Sequence, residues 1–269
     1  MQRLLVSLSL AACFLVVSSA WSQDNSQSES SQTTTKTKSE TKSRANSANT
    51  DKSNFKTKQE ERLVKANEVL EQMMNAPDKG IPQDLLGKAY CIGIIPAVRK
   101  IAIGVLGGEH GAGVVTCRKN GGAGSWGPPS GFAISGGSFG LQIGYSDTDY
   151  VLLFMNKDGM DKLLADKFTV GGDASAAAGP VGRTAAAATD AQMHAEILTY
   201  SRSHGVFAGV SLQGAVLRPS PYDNRILYGK DVTAKELLMV GNVPAPKVAR
   251  SLLATLNRFS PHEEKKTAS

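Results

Sequence analysis

Cysteine is scarce in this chain, with three residues in 269. No two of them form a CxxC pair, and the four histidines are scattered without the spacing of metal ligands. A zinc site or a thioredoxin-like centre therefore has no support in the sequence, and we expect neither a metal nor a cofactor.

A strong excess of one charge is also lacking. The formal net charge is +6, but residues 81–230 hold 13 Lys and Arg against 11 Asp and Glu. So weak and scattered an excess excludes a nucleic-acid-binding footprint. It leaves room for a local basic patch that meets anionic lipid.

Long apolar runs are absent except at the start of the chain. Residues 1–20 carry Arg3, an apolar stretch and then small residues, which is typical of a secretory signal peptide. We therefore expect an exported protein, periplasmic or associated with the cell envelope. The alternative is a lipobox over residues 10–13, which would leave Cys13 lipidated. Residues 21–53 are polar and predict a disordered linker.

Two cysteines remain after removal of the leader, Cys91 and Cys117. In an oxidising compartment such a pair can form a disulfide. Two buried thiols in strands are the other interpretation, and the sequence leaves both open.

Glycine and small residues alternate with apolar residues in the centre of the chain. In residues 131–144, GFAISGGSFGLQIG, apolar side chains recur mostly at every second position, which is the strand period. Similar stretches occupy residues 101–115, 168–182 and 206–217. They predict successive strands of one sheet, with a strand ended by Pro96 and a turn at GGEHG.

Helices are predicted at both ends of this region. Residues 54–75 show an amphipathic pattern whose first half is basic. Such a helix either lies on a membrane surface or packs on the domain with a solvated face. Thr233 and Glu236 form a capping box, a last helix spans residues 246–259, and residues 261–269 are a polar tail. The basic residues of the first helix are Lys56, Lys58, Arg62 and Lys65.

Two motifs suggest chemistry. Residues 136–140 match the G-x-S-x-G nucleophile elbow, with Ser138 as nucleophile and Asp173 and His204 as available partners. The elbow must be followed by a helix, whereas LQIGY predicts a strand, so a hydrolase is the weakest reading. The second motif is a set of strand-end cations that would hold a phosphate group if they met, or would otherwise be ordinary solvated charges: Arg99, Lys100, Arg118, Lys119 and Arg183.

The chain also resembles a known family, the SYLF or Ysc84-like domain. The resemblance covers residues 54–240 and rests on GGSFGLQIG, AAGPVGR, DYVLLFMN and YSRSHGVFAGVSLQGAVL. It implies a non-enzymatic module that binds phosphoinositides in eukaryotes, partly through a basic first helix, and actin in fungi. For an exported bacterial-type member, it implies binding of anionic phospholipid, and actin is not expected.

Together these patterns predict an α+β fold. It would be mainly an antiparallel β sandwich or partial barrel, with helices at both ends and a separate C-terminal helix within residues 241–260. The expected partner is an anionic phospholipid membrane, met by the first helix and the strand-end cations. The alternatives are a structural or protein-interaction module of the envelope and, less favoured, a hydrolase using Ser138.

Overall fold

The computed structural model describes residues 37–76, 80–139, 143–182 and 194–260. The predictions for residues 1–20 with Cys13, for the linker over residues 21–36, for Arg183 and for the tail at 261–269 lie outside these residues. The chain divides into a unit ending at Ala45 and a unit beginning at Asn46. The sheet and the sites described below belong to the second unit.

The described strands form one curled, half-barrel sheet. Its order is β5-β9-β3-β2-β1-β4-β7-β6, and β8 also pairs with β7. All these pairs are antiparallel except the β6–β7 pair. The predicted α+β fold is therefore confirmed, as a partial barrel. The strands are β1 (Cys91–Ile103), β2 (Leu106–Cys117), β3 (Ser130–Phe139), β4 (Gly144–Phe154), β5 (Phe168–Thr169), β6 (Ala176–Ala178), β7 (Ile197–Ser203), β8 (Val206–Gly209) and β9 (Val216–Pro219).

The helices flank this sheet in chain order. They are α1 (Thr37–Met74), α2 (Gln83–Lys88), α3 (Lys157–Leu163), α4 (Pro221–Tyr228) and α5 (Arg250–Phe259). Short turns of helix cover Asn120–Gly122, Glu236–Val240 and Lys247–Ala249. α1 starts at Thr37 and not at residue 54, so the prediction of a disordered linker is wrong for residues 37–53. Extending a helix that is already nucleated costs little.

Each face of the sheet is covered by its own layer of apolar side chains. On the α1 face, Leu63 and Leu70 of α1 and Leu252 of α5 share a buried cluster with Ile92 and Ile94. On the opposite α3 face, the second cluster includes the strand residues Cys91, Ile95, Phe132, Tyr150 and Phe154 and, from α3, Met160 and Leu163. Because alternate strand residues point to opposite faces, β1 contributes to both layers.

Pro96 does not end β1, so that prediction is wrong. The pairing of β1 slips between Ile95 and Val98, and Ala97 takes a positive φ of 49°. The Ala97 amide donates to the Asp149 carboxylate at 2.8 Å instead of to the ladder. Proline is tolerated at such a bulge, where the ladder hydrogen bond is already lost. The bulge turns Arg99 to the α1 face, whereas strict alternation from Ile95 would place it on the α3 face.

The GGEHG segment is not a turn either, because it lies within β2. The chain reverses instead at Gly104 and Val105, where Gly104 has a φ of 70°. The expected capping box is present: the Thr233 amide donates to Glu236 at 2.7 Å, and the Glu236 amide donates to the Thr233 hydroxyl at 3.2 Å.

Candidate functional site

A basic cleft lies where α1 crosses the bulge of β1. Its volume is about 350 Å³. The α1 side chains and the strand residues meet here although they are more than 30 positions apart in the chain. Lining residues are Lys58, Glu61, Arg62, Lys65, Pro96, Ala97, Arg99, His110, Gly111 and Ala112.

The α1 wall is fixed by contacts with α4. Arg62 forms an ion pair with Asp223 at 2.9 Å, and the Gln59 amide donates to the same carboxylate at 2.6 Å. One turn earlier, the Phe55 and Tyr222 rings meet edge to face at 5.6 Å. The helix therefore packs on the domain, and its buried residues face the sheet.

The exposed cations of this wall are Lys58 and Lys65. Neither lies within ion-pair distance of a carboxylate among the described residues. Lys58 sits 5.8 Å from the centre of the Phe55 ring. Lys56 is exposed but does not line the cleft. Of the four predicted helix residues, three therefore line the cleft, and Arg62 is already neutralised by Asp223.

The strand wall supplies Arg99 and His110, which pair across β1 and β2. Arg99 also pairs in register with Asp147 of β4. The structure thus brings Arg99 together with the cations of α1, a juxtaposition that depends on the bulge at Pro96. The sequence analysis does not assign His110 to a site, because the spacing of residues along the chain does not show which residues of two strands lie opposite each other.

Lys100 lies on the α3 face, away from this cleft. Its ammonium group is 3.4 Å from the Glu109 carboxylate and 5.2 Å from the centre of the Tyr150 ring. The Tyr150 hydroxyl donates to Glu109 at 3.0 Å. Burial, with the Glu109 charge and this hydrogen bond, raises the pKa of Tyr150 well above its usual range, so the phenol stays protonated.

Arg118 is a structural residue rather than part of a basic rim. Only 3% of it is exposed, and its guanidinium donates to the Ser260 carbonyl at 2.9 Å and stacks 4.4 Å from the Trp126 ring centre. Burial lowers its pKa from the usual value. It thereby joins the end of α5 to the loop after β2.

The predicted strand-end rim does not form among its described members. Cys117 pairs with Cys91, which is eight residues from Arg99 along β1. At the usual rise of a strand, Arg118 and Lys119 are therefore roughly 26 Å from Arg99 along the sheet. The prediction failed because it placed Arg99 at the end of a strand. Arg99 lies within β1, whereas Arg118 and Lys119 follow the end of β2.

Replacing Arg118 with methionine should lower the free energy of unfolding by about 2 kcal/mol, because the Ser260 carbonyl loses a buried charged donor. Chemical denaturation measures this. The matched change Lys119→Met, at an exposed neighbour, should stay within about 0.5 kcal/mol of the parent. Equal stability of both variants would contradict the structural role of Arg118.

Cys91 and Cys117 are joined in a disulfide, and both side chains are buried on the α3 face. Within the described part of the chain, no group of three or more His, Cys, Asp or Glu is placed to hold a metal ion. No helix there is both long enough and apolar enough to cross a membrane.

The backbone around Ser138 differs from a nucleophile elbow. β3 continues as a strand through Phe139, and the next described element is again a strand, β4, which begins at Gly144. The two catalytic partners suggested by the sequence have other surroundings. The Asp173 carboxylate accepts a hydrogen bond from the Thr169 amide at 2.6 Å, and His204 lies exposed in the β7–β8 turn.

Comparison with known proteins identifies the family. Residues 135–259 match the family model Ysc84, described as a Las17-binding protein actin regulator. The chain belongs to the Ysc84, or SYLF, family. This membership confirms the resemblance drawn from the glycine-rich strands.

Curated members of the Ysc84 family are similar over most of the described domain. The SH3 domain-containing YSC84-like protein 1 of Rattus norvegicus is 33% identical over 188 residues, which is 69% of this chain and 54% of the relative. LAS seventeen-binding protein 3 of Saccharomyces cerevisiae is 34% identical over 189 residues, 69% of this chain and 39% of the relative. Protein YSC84 of the same yeast is 32% identical over 214 residues, which is 77% of this chain and 44% of the relative. The chain thus spans about half the length of the curated relatives it matches.

These names correct the expectation about partners. The sequence analysis predicts an anionic phospholipid membrane as the partner and does not expect actin. The family is instead described by a protein partner, Las17, and by actin regulation. The expectation failed because it used the presumed cell compartment, and not the shared domain, to discard one of the two activities of the family. The relatives are named as binding or regulatory proteins and not as enzymes.

Proposed function

We propose that this chain is a protein-binding module that contacts actin or an actin-regulatory partner through the basic cleft. The observation that carries the proposal is the meeting of Lys58 and Lys65 with Arg99 in a cleft of a Ysc84-family domain. The names of the relatives support the class of partner.

The charge of the cleft supports an acidic partner surface. Lys58 and Lys65 are exposed, and their ammonium groups are not consumed by carboxylates within the described residues. Cations of this kind steer an acidic partner and add affinity that salt weakens. Arg62 contributes by holding α1 in place and not by direct attraction, because Asp223 already neutralises it.

The charge reversal Lys58→Glu with Lys65→Glu should weaken binding to actin filaments at least about tenfold, since attraction becomes repulsion. Co-sedimentation with filamentous actin and pull-down with purified Las17 measure the two named partners separately. The fold should be unaffected, because both side chains are exposed.

The matched control is Lys88→Glu with Lys230→Glu, which reverses two exposed lysines outside the cleft. This variant should bind as the parent does. Equal losses in both double variants would show that only total charge matters, and would contradict the cleft as the contact surface.

A further inference from the structure

A groove on the α1 face continues from the basic cleft to the tip of the β1–β2 hairpin. It encloses about 700 Å³. Arg99 and His110 line both the groove and the cleft, so the two surfaces are continuous. Further lining residues are Ile101, Ile103, Leu106, Gly107, Gly108 and Glu109.

The groove carries large apolar side chains that the domain leaves exposed. Ile101 is 52% exposed, Ile103 77% and Leu106 65%. Tyr145 of β4 lies opposite Ile101 of β1 and is 60% exposed. Isolated exposed apolar residues are ordinary, but a contiguous group rimmed by polar residues, here Arg99, His110 and Glu109, is typical of an interaction surface.

The floor beside these side chains is bare backbone. Gly108 and Gly137 are paired neighbours on β2 and β3, and both are exposed. A Cβ at Gly137 would meet no atom within 4 Å, and one at Gly108 would meet only the Gly136 carbonyl, at 3.7 Å. The chain therefore has room for side chains at both positions. It leaves instead a strip of bare backbone, here called the channel, made of Gly108, which lines the groove, and its neighbour Gly137 on β3.

We infer that this groove binds an acidic amphipathic helix of a protein partner, an inference that rests on the proposed function. The apolar face of such a helix would lie on Ile101, Ile103 and Leu106 and fill the channel over the glycines. Its acidic flank would lie against Arg99 and the adjoining cleft lysines. The arrangement matches helix-in-groove recognition, with apolar anchors at i, i+3, i+4 and i+7.

The direct probe is a fluorescent synthetic helix of roughly 18 residues, with leucine at those anchor positions and glutamate on the flank. Fluorescence anisotropy with the full chain should show binding at least about tenfold tighter than for the same peptide with lysine in place of glutamate, and tighter than for a scrambled peptide. The double variant Gly108→Leu with Gly137→Leu fills the channel and should weaken binding of the acidic peptide at least about tenfold.

Gly87→Leu is the matched control, because Gly87 is exposed on α2 and a Cβ there also meets no atom within 4 Å. It should leave peptide binding unchanged. Equal binding of the acidic, basic and scrambled peptides would overturn the inference. Undiminished peptide binding by the channel-filled variant would also overturn it. The same holds if the chain binds phosphatidylcholine vesicles through Ile103 and Leu106 and does not bind the peptide.

Actin co-sedimentation with the same variants separates the two proposals. If the channel-filled variant still binds filaments and no peptide binds, the groove inference fails and the proposed function stands. If the parent chain binds neither actin nor Las17 but binds the acidic peptide, the proposed function fails and the groove remains.

Discussion

Replacing Gly113 with alanine is expected to lower the free energy of unfolding by about 3 kcal/mol. A Cβ at this position would lie 2.2 Å from the Ile94 carbonyl oxygen and 2.6 Å from the Ile95 Cα. Both are backbone atoms of β1 just before its bulge, so neither can turn aside as the end of a side chain could. Gly113 therefore permits the close approach that the bulge requires.

Thermal unfolding provides the measurement. For a domain of this size, the melting temperature should fall by about 6–12 °C. Gly137→Ala is the control, since a Cβ there meets open space and the backbone φ is ordinary for a strand. Its melting temperature should match that of the parent. A Gly113→Ala protein as stable as the parent would contradict the close approach of Gly113 to the backbone of Ile94 and Ile95.

Removing the Cys91–Cys117 disulfide should lower the free energy of unfolding by about 3.5 kcal/mol. The bond closes a loop with a sequence separation of 26, and cross-linking stabilises mainly by restricting the unfolded chain. The double variant Cys91→Ala with Cys117→Ala also loses two buried side chains, so its unfolding midpoint in urea should fall at least as far.

Reductant supplies the internal control for this prediction. Dithiothreitol should lower the midpoint of the parent chain and leave the double variant unchanged. Mass spectrometry under non-reducing conditions should find no free thiol at either position in the parent. Two free thiols, or a parent midpoint that does not respond to reductant, would contradict the disulfide.

Local patterns predicted much of the fold. Alternating apolar residues marked the strands, and the three-and-four spacing of Leu63, Ala66 and Leu70 marked the packed face of α1. The Thr233–Glu236 capping box formed as its spacing indicates. These features depend on residues close together in the chain, so the sequence contains the whole signal.

The errors arose where distant segments decide the structure. Pro96 normally ends a strand, yet Asp149 of β4 receives the Ala97 amide and lets β1 continue. Arg62 was read as a free cation, but its partner Asp223 lies 161 residues away. Arg118 was assigned to a surface rim, whereas α5 buries it. None of these contacts can be predicted from the spacing of residues along the chain.

The candidate cleft shows the same division. The basic half of α1 and the position of Arg99 were visible as separate patterns. Their meeting depends on the bulge in β1, which turns Arg99 to the α1 face. The apolar walls of the groove follow from the β1–β2 hairpin register, which places Ile103 opposite Leu106 and which spacing along the chain does not show.

The most direct test of the central claim is the binding of the parent chain to filamentous actin, and in parallel to Las17, across a range of salt concentrations. The account predicts saturable binding to one of them that weakens steadily as salt screens Lys58, Lys65 and Arg99. Absence of binding to either protein at low salt, or binding that salt does not change, would contradict it.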